Sequence, residues 1–250
     1  MRLLLVNPNM STAMTDTMAA IAREVAGPAH EIVALTADRG FPYIASRAEA
    51  QIAGGIVLEM IADNLSGADA VIVAAFGDPG LHGARELFEL PVVGMAEAAL
   101  MSAAMLGERF SVVTFSPAMR RWYLDCVRDS GLKDRCASVR TPPDHPRDVD
   151  GVRSALRANL VALARHAVER DDADVVILGG APLAGLAKEI AAEVPAVVID
   201  PITAAVAQAM AMTLIAPREG FGLRHSQPLA KSSVGLPRPL ADVIGREARV

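Results

Sequence analysis

Residues 68–85, ADAVIVAAFGDPGLHGAR, decide the fold of this chain. The apolar run 71–76 predicts a strand that is buried on both faces, as strands of a parallel sheet are. The strand ends in the turn 77–80, GDPG, and a helix-like sequence follows. A strand that stops at a glycine-rich turn before a helix collects backbone N–H groups and a positive helix end at one point. In an open α/β sheet, ligands bind at such a point.

A second copy of this pattern lies at residues 173–188, ADVVILGGAPLAGLAK. Aligning the two copies places Ala75 opposite Gly180, 105 residues later. Two further pairs of strands repeat at nearly the same distance: LLLVNPN (3–9) with FSVVTFS (110–116), and PVV (91–93) with PAVV (195–198). The alternative is chance similarity between buried βα units. Because three strands keep nearly one offset, we predict two similar α/β halves that face each other across a cleft.

The repeat also predicts the domain organisation. We expect a first lobe at residues 1–106 and a second lobe at residues 107–216. The segment 217–250 is rich in Gly, Pro, Arg and Ser. We expect it to wrap the outside of the molecule, where it could pack back on the first lobe.

Composition limits the classes of function. The 250 residues are 52% hydrophobic but only 4% aromatic, which suits an aliphatic α/β core. The net charge of −5 argues against a nucleic-acid partner. No apolar run approaches the ~18 residues of a membrane span, and the opening MRLLLVNPNM is too short for a signal peptide. We expect a cytoplasmic protein with a small-molecule substrate, no nucleic-acid or membrane partner, and a homo-oligomeric assembly, a dimer or tetramer.

Several polar residues follow predicted strands and are candidates for ligand binding. Asn9 and Ser11 follow the first strand, where they serve either the turn and helix cap or a small polar ligand. Tyr43 and Arg47 lie in or beside an irregular loop directed toward the same strand ends. Glu97 opens a helix, where its carboxylate either pairs with the helix dipole or acts as an acid or base in the cleft.

The chain resembles the aspartate/glutamate/hydantoin racemase superfamily, and most closely its hydantoin racemase branch. The similar segments are VNPN (6–9), FGDPGL (76–81), PVVGMAEA (91–98), LGGAPLAG (178–185) and VID (198–200). The resemblance implies two Rossmann-like α/β lobes with parallel sheets, related by pseudo-twofold symmetry. It also implies an active site between the lobes that needs neither an organic cofactor nor a metal.

The sequence departs from this family at the two positions that carry its chemistry. The family's racemases use one cysteine just before FGDPG and another after the Leu-Gly of the second lobe. One thiolate removes a proton and the other thiol returns one from the opposite face. Here these positions are Ala75 and Gly180, and neither side chain carries a proton. We expect two such small residues to leave extra room at the centre of the cleft. Cys126 and Cys136 have no zinc-type spacing and are interpreted as structurally incidental.

Three explanations remain open: an enzyme that uses other groups, a catalytically inactive binder, or a laboratory double mutant. We favour a cofactor-independent enzyme acting on a small hydantoin-like or amino-acid-derived substrate by chemistry other than two-cysteine racemisation. The alternatives are a hydrolase or lyase that opens, decarboxylates or desulfurises such a ring, and a ligand-binding protein without turnover.

The family resemblance and the residues together give a predicted site. The candidates for proton handling are Asp78, Glu97 and Tyr43. The backbone amides of Phe76, Gly77 and Ala181 are expected to hold developing negative charge. The predicted substrate contacts are Asn9, Ser11, Arg47, Ala75, Phe76, Gly77, Thr114, Phe115, Ser116, Gly180, Ala181 and Pro182.

Overall fold

The computed structural model describes residues 1–144, 152–216, 218–225 and 227–245, which form two four-stranded parallel sheets. The strands are β1 Arg2–Asn7, β2 Glu31–Thr36, β3 Ala70–Val73, β4 Val92–Gly94, β5 Phe110–Val113, β6 Cys136–Arg140, β7 Val175–Leu178 and β8 Val197–Ile199. The first sheet has the order β2-β1-β3-β4 and the second β6-β5-β7-β8. The predicted α/β fold with two similar lobes is therefore confirmed.

Helices connect the strands and cover both sheets. They are α1 Thr12–Ala26, α2 Arg47–Asn64, α3 Leu81–Leu87, α4 Met95–Leu106, α5 Arg120–Asp129, α6 Val152–Ala155, α7 Arg157–Asp171, α8 Leu186–Ile190, α9 Pro201–Ile215 and α10 Arg238–Gly245. Local sequence sets where α1 and α2 begin, because Ser11 caps the first and Ser46 forms a capping box with Glu49 at the second. Within the described ranges, no helix is long and apolar enough to cross a membrane.

The two sheets repeat each other residue by residue at the ends of their central strands. The N–H of Ala74 donates to β1 at 2.8 Å, and the N–H of Gly179 donates to β5 at 2.8 Å. The next residues, Ala75 and Gly180, therefore stand at the same point beyond the carboxyl ends of β3 and β7. This is the pairing that the sequence repeat predicts.

Each of the two sheets packs against a helix that follows the other sheet in the chain, which interlocks the lobes. Helix α4, which follows the first sheet, packs on β7 and β8, while α9, which follows the second sheet, packs on β3 and β4. The two helices also pack against each other, and Gln208 donates to the hydroxyl of Ser102 at 3.2 Å. The boundaries expected at 106 and 216 stay a prediction, since the helices on either side of them are shared between the sheets.

The C-terminal segment lies on the first lobe. Helix α10 packs against α2, and Leu240 is buried in the cluster formed by the first sheet's outer helices. Arg224 donates to the carbonyl of Phe88 at 2.8 Å. Residues 217, 226 and 246–250 of this segment lie outside the described residues.

A carboxylate ties the turn after β3 to the start of α4. The side-chain oxygens of Asp78 accept the N–H groups of Ala96 and Glu97, each at 2.8 Å. The helix has no cap of its own, because its N-cap residue is Gly94. A Cβ atom at Gly94 would lie 2.4 Å from the Asp78 carboxyl carbon, so the missing side chain makes room for this carboxylate. Asp78 adopts a φ of 50° to reach this position.

The second lobe has an equivalent carboxylate, but it belongs to the residue at the helix start rather than to a residue of the turn. Asp200 is the N-cap of α9 and occupies the position equivalent to Gly94 in the register of the two sheets. Its carboxylate accepts the N–H of Ile202 at 3.0 Å and the N–H of Gly185, in the turn after β7, at 2.5 Å. In both lobes one carboxylate therefore joins a helix start to the turn that borders the cleft.

We predict that Asp78 makes the stability of the protein fall between weakly acidic and neutral pH. Burial raises the pKa of the Asp78 carboxylate, whereas the hydrogen bonds that it accepts from two backbone N–H groups lower it. Burial is the larger effect, and the pKa rises from 3.8 to about 7. The folded state then keeps a proton that the unfolded state releases, so unfolding free energy decreases with rising pH across this window and levels off above it.

The test compares denaturant unfolding of the wild type and Asp78→Asn from pH 4 to pH 8. Asp78→Asn has no titrating group at this position. Its free energy of unfolding, relative to that of the wild type, should therefore increase from weakly acidic to neutral pH. Asp200→Asn is the matched control, because it replaces the carboxylate that caps a helix in the other lobe. Parallel pH profiles for the wild type and Asp78→Asn would contradict the prediction.

Candidate functional site

A small cavity of about 20 Å³ lies between the two lobes, beyond the strand ends. Both lobes contribute to its lining: Asn9, Met14, Tyr43, Ile44, Ala75, Phe76, Phe115, Met119, Trp122, Tyr123, Gly180, Ala181 and Pro182. We call it the central cavity. The structure thus brings together the predicted residues Asn9, Tyr43, Ala75, Phe76, Phe115, Gly180, Ala181 and Pro182.

Asn9 presents a side-chain donor to the central cavity. Its amide oxygen accepts from the side chain of Asn7 at 3.0 Å and from the N–H of Ser11 at 2.9 Å, which fixes the orientation of the amide. Among the described residues, its Nδ2 contacts only the sulfur of Met14, at 3.7 Å. Because the amide nitrogen carries two N–H donors, one of them remains for a ligand, and the buried Asn7 holds the amide in place.

Backbone donors at the two strand-end turns also lack partners. In the part of the chain that the structure describes, no acceptor is found for the N–H groups of Phe76, Gly77 and Ala181. Phe76 and Ala181 come from opposite lobes, and both line the central cavity. Phe76 is buried, whereas Gly77 and Ala181 are partly exposed, so an unpaired N–H is unusual at Phe76 and the other two can bind either water or a ligand oxygen atom.

The expectation of extra room at the centre is wrong, because aromatic side chains fill it. A Cβ atom at Gly180 would lie 2.6 Å from a ring carbon of Phe115, and Gly180 has a φ of 129°. The ring of Phe76 packs against Tyr123 with centroids 4.6 Å apart. Both tyrosines and the single tryptophan of a chain with 4% aromatic residues line this cavity. The space beside Gly180 is thus filled by packed aromatic side chains.

Two of the three predicted proton-handling groups are engaged elsewhere. Asp78 caps α4, and Glu97 forms an ion pair with Arg85, whose Nη1 donates to it at 2.9 Å. Neither lines the central cavity. Tyr43 does, and burial raises the pKa of its hydroxyl, with the nearby Glu49 carboxylate raising it further. At neutral pH Tyr43 therefore offers a proton or a hydrogen bond rather than acting as a base.

A larger pocket of about 590 Å³ lies outside the central cavity, between α2, the turn after β3 and α5. We call it the outer pocket. Four predicted site residues line it: Arg47, Gly77, Asp78 and Glu97. Arg47 bridges the two helices at its rim, because its Nε donates to Asp125 of α5 at 2.5 Å.

Three predicted contacts line neither the central cavity nor the outer pocket. Ser11 caps α1, the hydroxyl of Thr114 donates to the sulfur of Met119 at 3.7 Å, and Ser116 is buried. Direct contact of these three with a ligand stays a prediction.

The two cysteines are poor nucleophiles where the structure places them. Cys126 lines the outer pocket and Cys136 begins β6. Burial raises the pKa of both thiols, that of Cys136 to about 11, so they stay protonated near neutral pH. Within the described ranges, no group of three His, Cys, Asp or Glu side chains is arranged to hold a metal ion.

Sequence reasoning missed five lining residues: Met14, Ile44, Met119, Trp122 and Tyr123. Three of them come from α5 or the short turn before it, a segment without a recognisable motif. The sequence did contain one indication of this segment's role. Tryptophan and tyrosine are rare in this chain, and Trp122 and Tyr123 stand next to each other shortly after the strand-end segment 110–116.

Comparison with known proteins places this geometry in a family. The family model described as Asp/Glu/Hydantoin racemase matches residues 3–209. The hydantoin racemase of Paenarthrobacter aurescens is 31% identical over 233 residues, covering 92% of this chain and 99% of that protein. The hydantoin racemase of Pseudomonas sp. (strain NS671) is 33% identical over 240 residues, covering 94% and 95%.

Solved structures agree with the sequence relatives. The allantoin racemase from Klebsiella pneumoniae matches with a TM-score of 0.86 at 32% identity, covering 96% of this chain and 98% of that chain. Arylmalonate decarboxylase, as a double mutant, matches with a TM-score of 0.64 at 16% identity, which shows a shared fold alone. The resemblance drawn from the sequence motifs is confirmed, and this chain belongs to the Asp/Glu/hydantoin racemase family.

Proposed function

We propose that this protein is a cofactor-independent enzyme that acts on a small hydantoin-like or amino-acid-derived molecule in the central cavity. The observation that carries the proposal is a pair of N–H groups, at Phe76 on one lobe and Ala181 on the other, for which the described residues offer no acceptor. Donors fixed in a buried site stabilise a carbonyl oxygen as it gains negative charge. Removal or addition of a proton beside a carbonyl creates that charge.

The lining of the cavity favours an uncharged ring over a free amino acid. Among the described residues, no Asp, Glu, Lys or Arg lines the central cavity. A carboxylate or ammonium group placed there would lose its hydration without an ionic partner, which is costly. The names of the relatives, hydantoin racemase and allantoin racemase, support a substrate of this ring type.

The proton chemistry we propose differs from a two-thiol mechanism. Ala75 and Gly180 stand at the paired strand ends and carry no titratable group. Tyr43 is the side chain in the cavity that we assign to proton donation, because it lines the cavity and a tyrosine hydroxyl carries a proton at neutral pH. Asn9 would hold a ring carbonyl through its free Nδ2 donor.

A second candidate is a binder of the same ring without turnover. The observation that favours it is the bonding of Asp78 and Glu97, since both carboxylates serve the fold rather than the cavity. Turnover measurements distinguish the two functions.

We predict that the protein binds uncharged 5-substituted hydantoins at least about tenfold more tightly than the corresponding free amino acids, because the cavity offers charged groups no partner. Calorimetry measures binding, polarimetry and deuterium uptake in heavy water measure proton exchange, and mass spectrometry measures ring opening or decarboxylation. Tighter binding of amino acids would contradict the proposed substrate.

The same assays separate the classes of chemistry. A product of altered mass indicates a hydrolase or lyase, and binding without deuterium uptake or product indicates the non-catalytic candidate. Efficient racemisation by the unmodified protein would contradict the proposal that its chemistry differs from that of racemases with two cysteines.

We predict that Asn9→Ala weakens hydantoin binding by about 1–3 kcal/mol, because a ligand carbonyl loses its donor in a buried site. Isothermal calorimetry on the folded variant measures the loss. Ser11→Ala is the matched control, since it removes a neighbouring polar side chain that caps α1 but does not line the cavity. An equal loss in both variants would show that the effect comes from the turn rather than from contact with the ligand.

We predict that Tyr43→Phe lowers kcat by about 10²–10⁴-fold with little change in KM, because the ring stays in place while the proton donor is lost. Glu97→Gln tests the competing assignment, since it removes a carboxylate outside the central cavity. A larger loss of kcat in Glu97→Gln than in Tyr43→Phe would assign proton transfer to Glu97 instead.

A further inference from the structure

The central cavity is too small for the ligand that its chemistry favours. Its volume is about 20 Å³, whereas the outer pocket has about 590 Å³. A cavity of the smaller size holds about one water molecule, and sites for small molecules usually measure roughly 300–1,000 Å³. A ring can therefore occupy the central cavity only if one of its walls moves.

Trp122 is the wall between the two spaces. Of the residues that the structure describes, it alone lines both the central cavity and the outer pocket. Its side chain is nearly buried, with the residue 8% exposed. Moving this one indole would join the two spaces into a site of adequate size.

The indole rests on a glycine of the central turn. A Cβ atom at Gly77 would lie 2.1 Å from Cζ2 of Trp122, so the ring occupies the place of the side chain that residue 77 lacks. The glycine also has a φ of 125°, which favours glycine at this position. The glycine of the segment FGDPG thus lets the indole ring pack directly against the backbone.

Packing alone holds the indole against Gly77. Over the described ranges, its N–H makes no hydrogen bond to the protein, and it is not one of the buried side-chain atoms that lack a partner, so water can reach it. Its nearest aromatic neighbour is Tyr123, with centroids 5.8 Å apart in a tilted arrangement. Rotation of the ring off Gly77 therefore breaks no hydrogen bond within the described part of the protein.

We propose that Trp122 is a movable, specificity-determining wall, and that the outer pocket is the subsite for the substituent of a ring bound in the central cavity. The arginines on the lining of the outer pocket, Arg47 and Arg128, both pair with Asp125, and the lining carboxylate of Glu97 pairs with Arg85. Because these charges are already paired, we assign an uncharged substituent to the subsite. The ligand class rests on the proposed function, whereas the movable wall rests on the geometry alone.

Thiol labelling tests the wall without any substrate. In a background of Cys126→Ser and Cys136→Ser, Ala75→Cys places one thiol on the lining of the central cavity. We expect Trp122→Ala to accelerate its reaction with N-phenylmaleimide by about tenfold or more, because the wall to the outer pocket is removed. Trp122→Phe, which keeps an aromatic ring on Gly77, should give an intermediate rate.

Tyr43→Ala is the matched control because it shortens another aromatic wall of the same cavity, one that is half-buried and belongs to the loop before α2. Acceleration by Tyr43→Ala equal to or greater than that by Trp122→Ala would overturn the proposal, as would acceleration by neither. Thermal unfolding and circular dichroism confirm that the variants compared are folded.

A second measurement tests the subsite. Calorimetry with hydantoin and 5-benzylhydantoin should show that Trp122→Ala improves the affinity for the benzyl compound relative to unsubstituted hydantoin by about tenfold. Because Trp122 is the single tryptophan of the chain, binding of the benzyl compound to the wild type should also change the intrinsic fluorescence. An unchanged affinity ratio in Trp122→Ala would overturn the subsite. If no variant binds any hydantoin, the proposed function fails, while the labelling result still decides whether Trp122 is the wall.

Discussion

The architecture of the cleft depends on two carboxylates that each cap a helix and fix the turn beside it. Asp78 reaches from the turn after β3 to the start of α4, and Asp200 reaches from the start of α9 to the turn after β7. The helices they cap are those that cross between the lobes, so the same bonds connect the turns to the interlocked core. The turns also carry the backbone donors of Phe76 and Ala181, which have no partner among the described residues, and both residues line the central cavity.

The same turns differ in the room they leave for a side chain. At the second strand end, Gly180 combines a positive φ with a ring of Phe115 where a side chain would begin. Any side chain there would require both the backbone and Phe115 to move. At the first strand end, Ala75 already carries a Cβ atom. The surrounding aromatic residues form a site that is apolar, lacks carboxylates and ammonium groups among its described lining residues, and takes its polarity from Asn9, the tyrosine hydroxyls and the backbone.

The fold, and the residues that meet around the central cavity, could be predicted from the sequence because both are encoded locally. Buried strands that end in glycine-rich turns recur at one offset, and this recurrence alone placed Ala75 opposite Gly180. Side-chain direction is not encoded in this way. Glu97 stands at a helix start as expected, but whether it faces the cleft or Arg85 depends on packing between α3 and α4. Trp122 and Tyr123 were missed because helical periodicity shows which face of α5 is buried but not which cavity that face meets.

The most direct test of this account is a crystal structure of the protein with 5-benzylhydantoin bound. The account predicts that a ring carbonyl oxygen lies within hydrogen-bond distance of the N–H of Phe76 or Ala181, with Asn9 Nδ2 on a second ring atom. It also predicts that the indole of Trp122 has left Gly77 and that the benzyl group lies in the outer pocket. A ligand bound elsewhere, with the central cavity still closed and these N–H groups still unpaired, would contradict it.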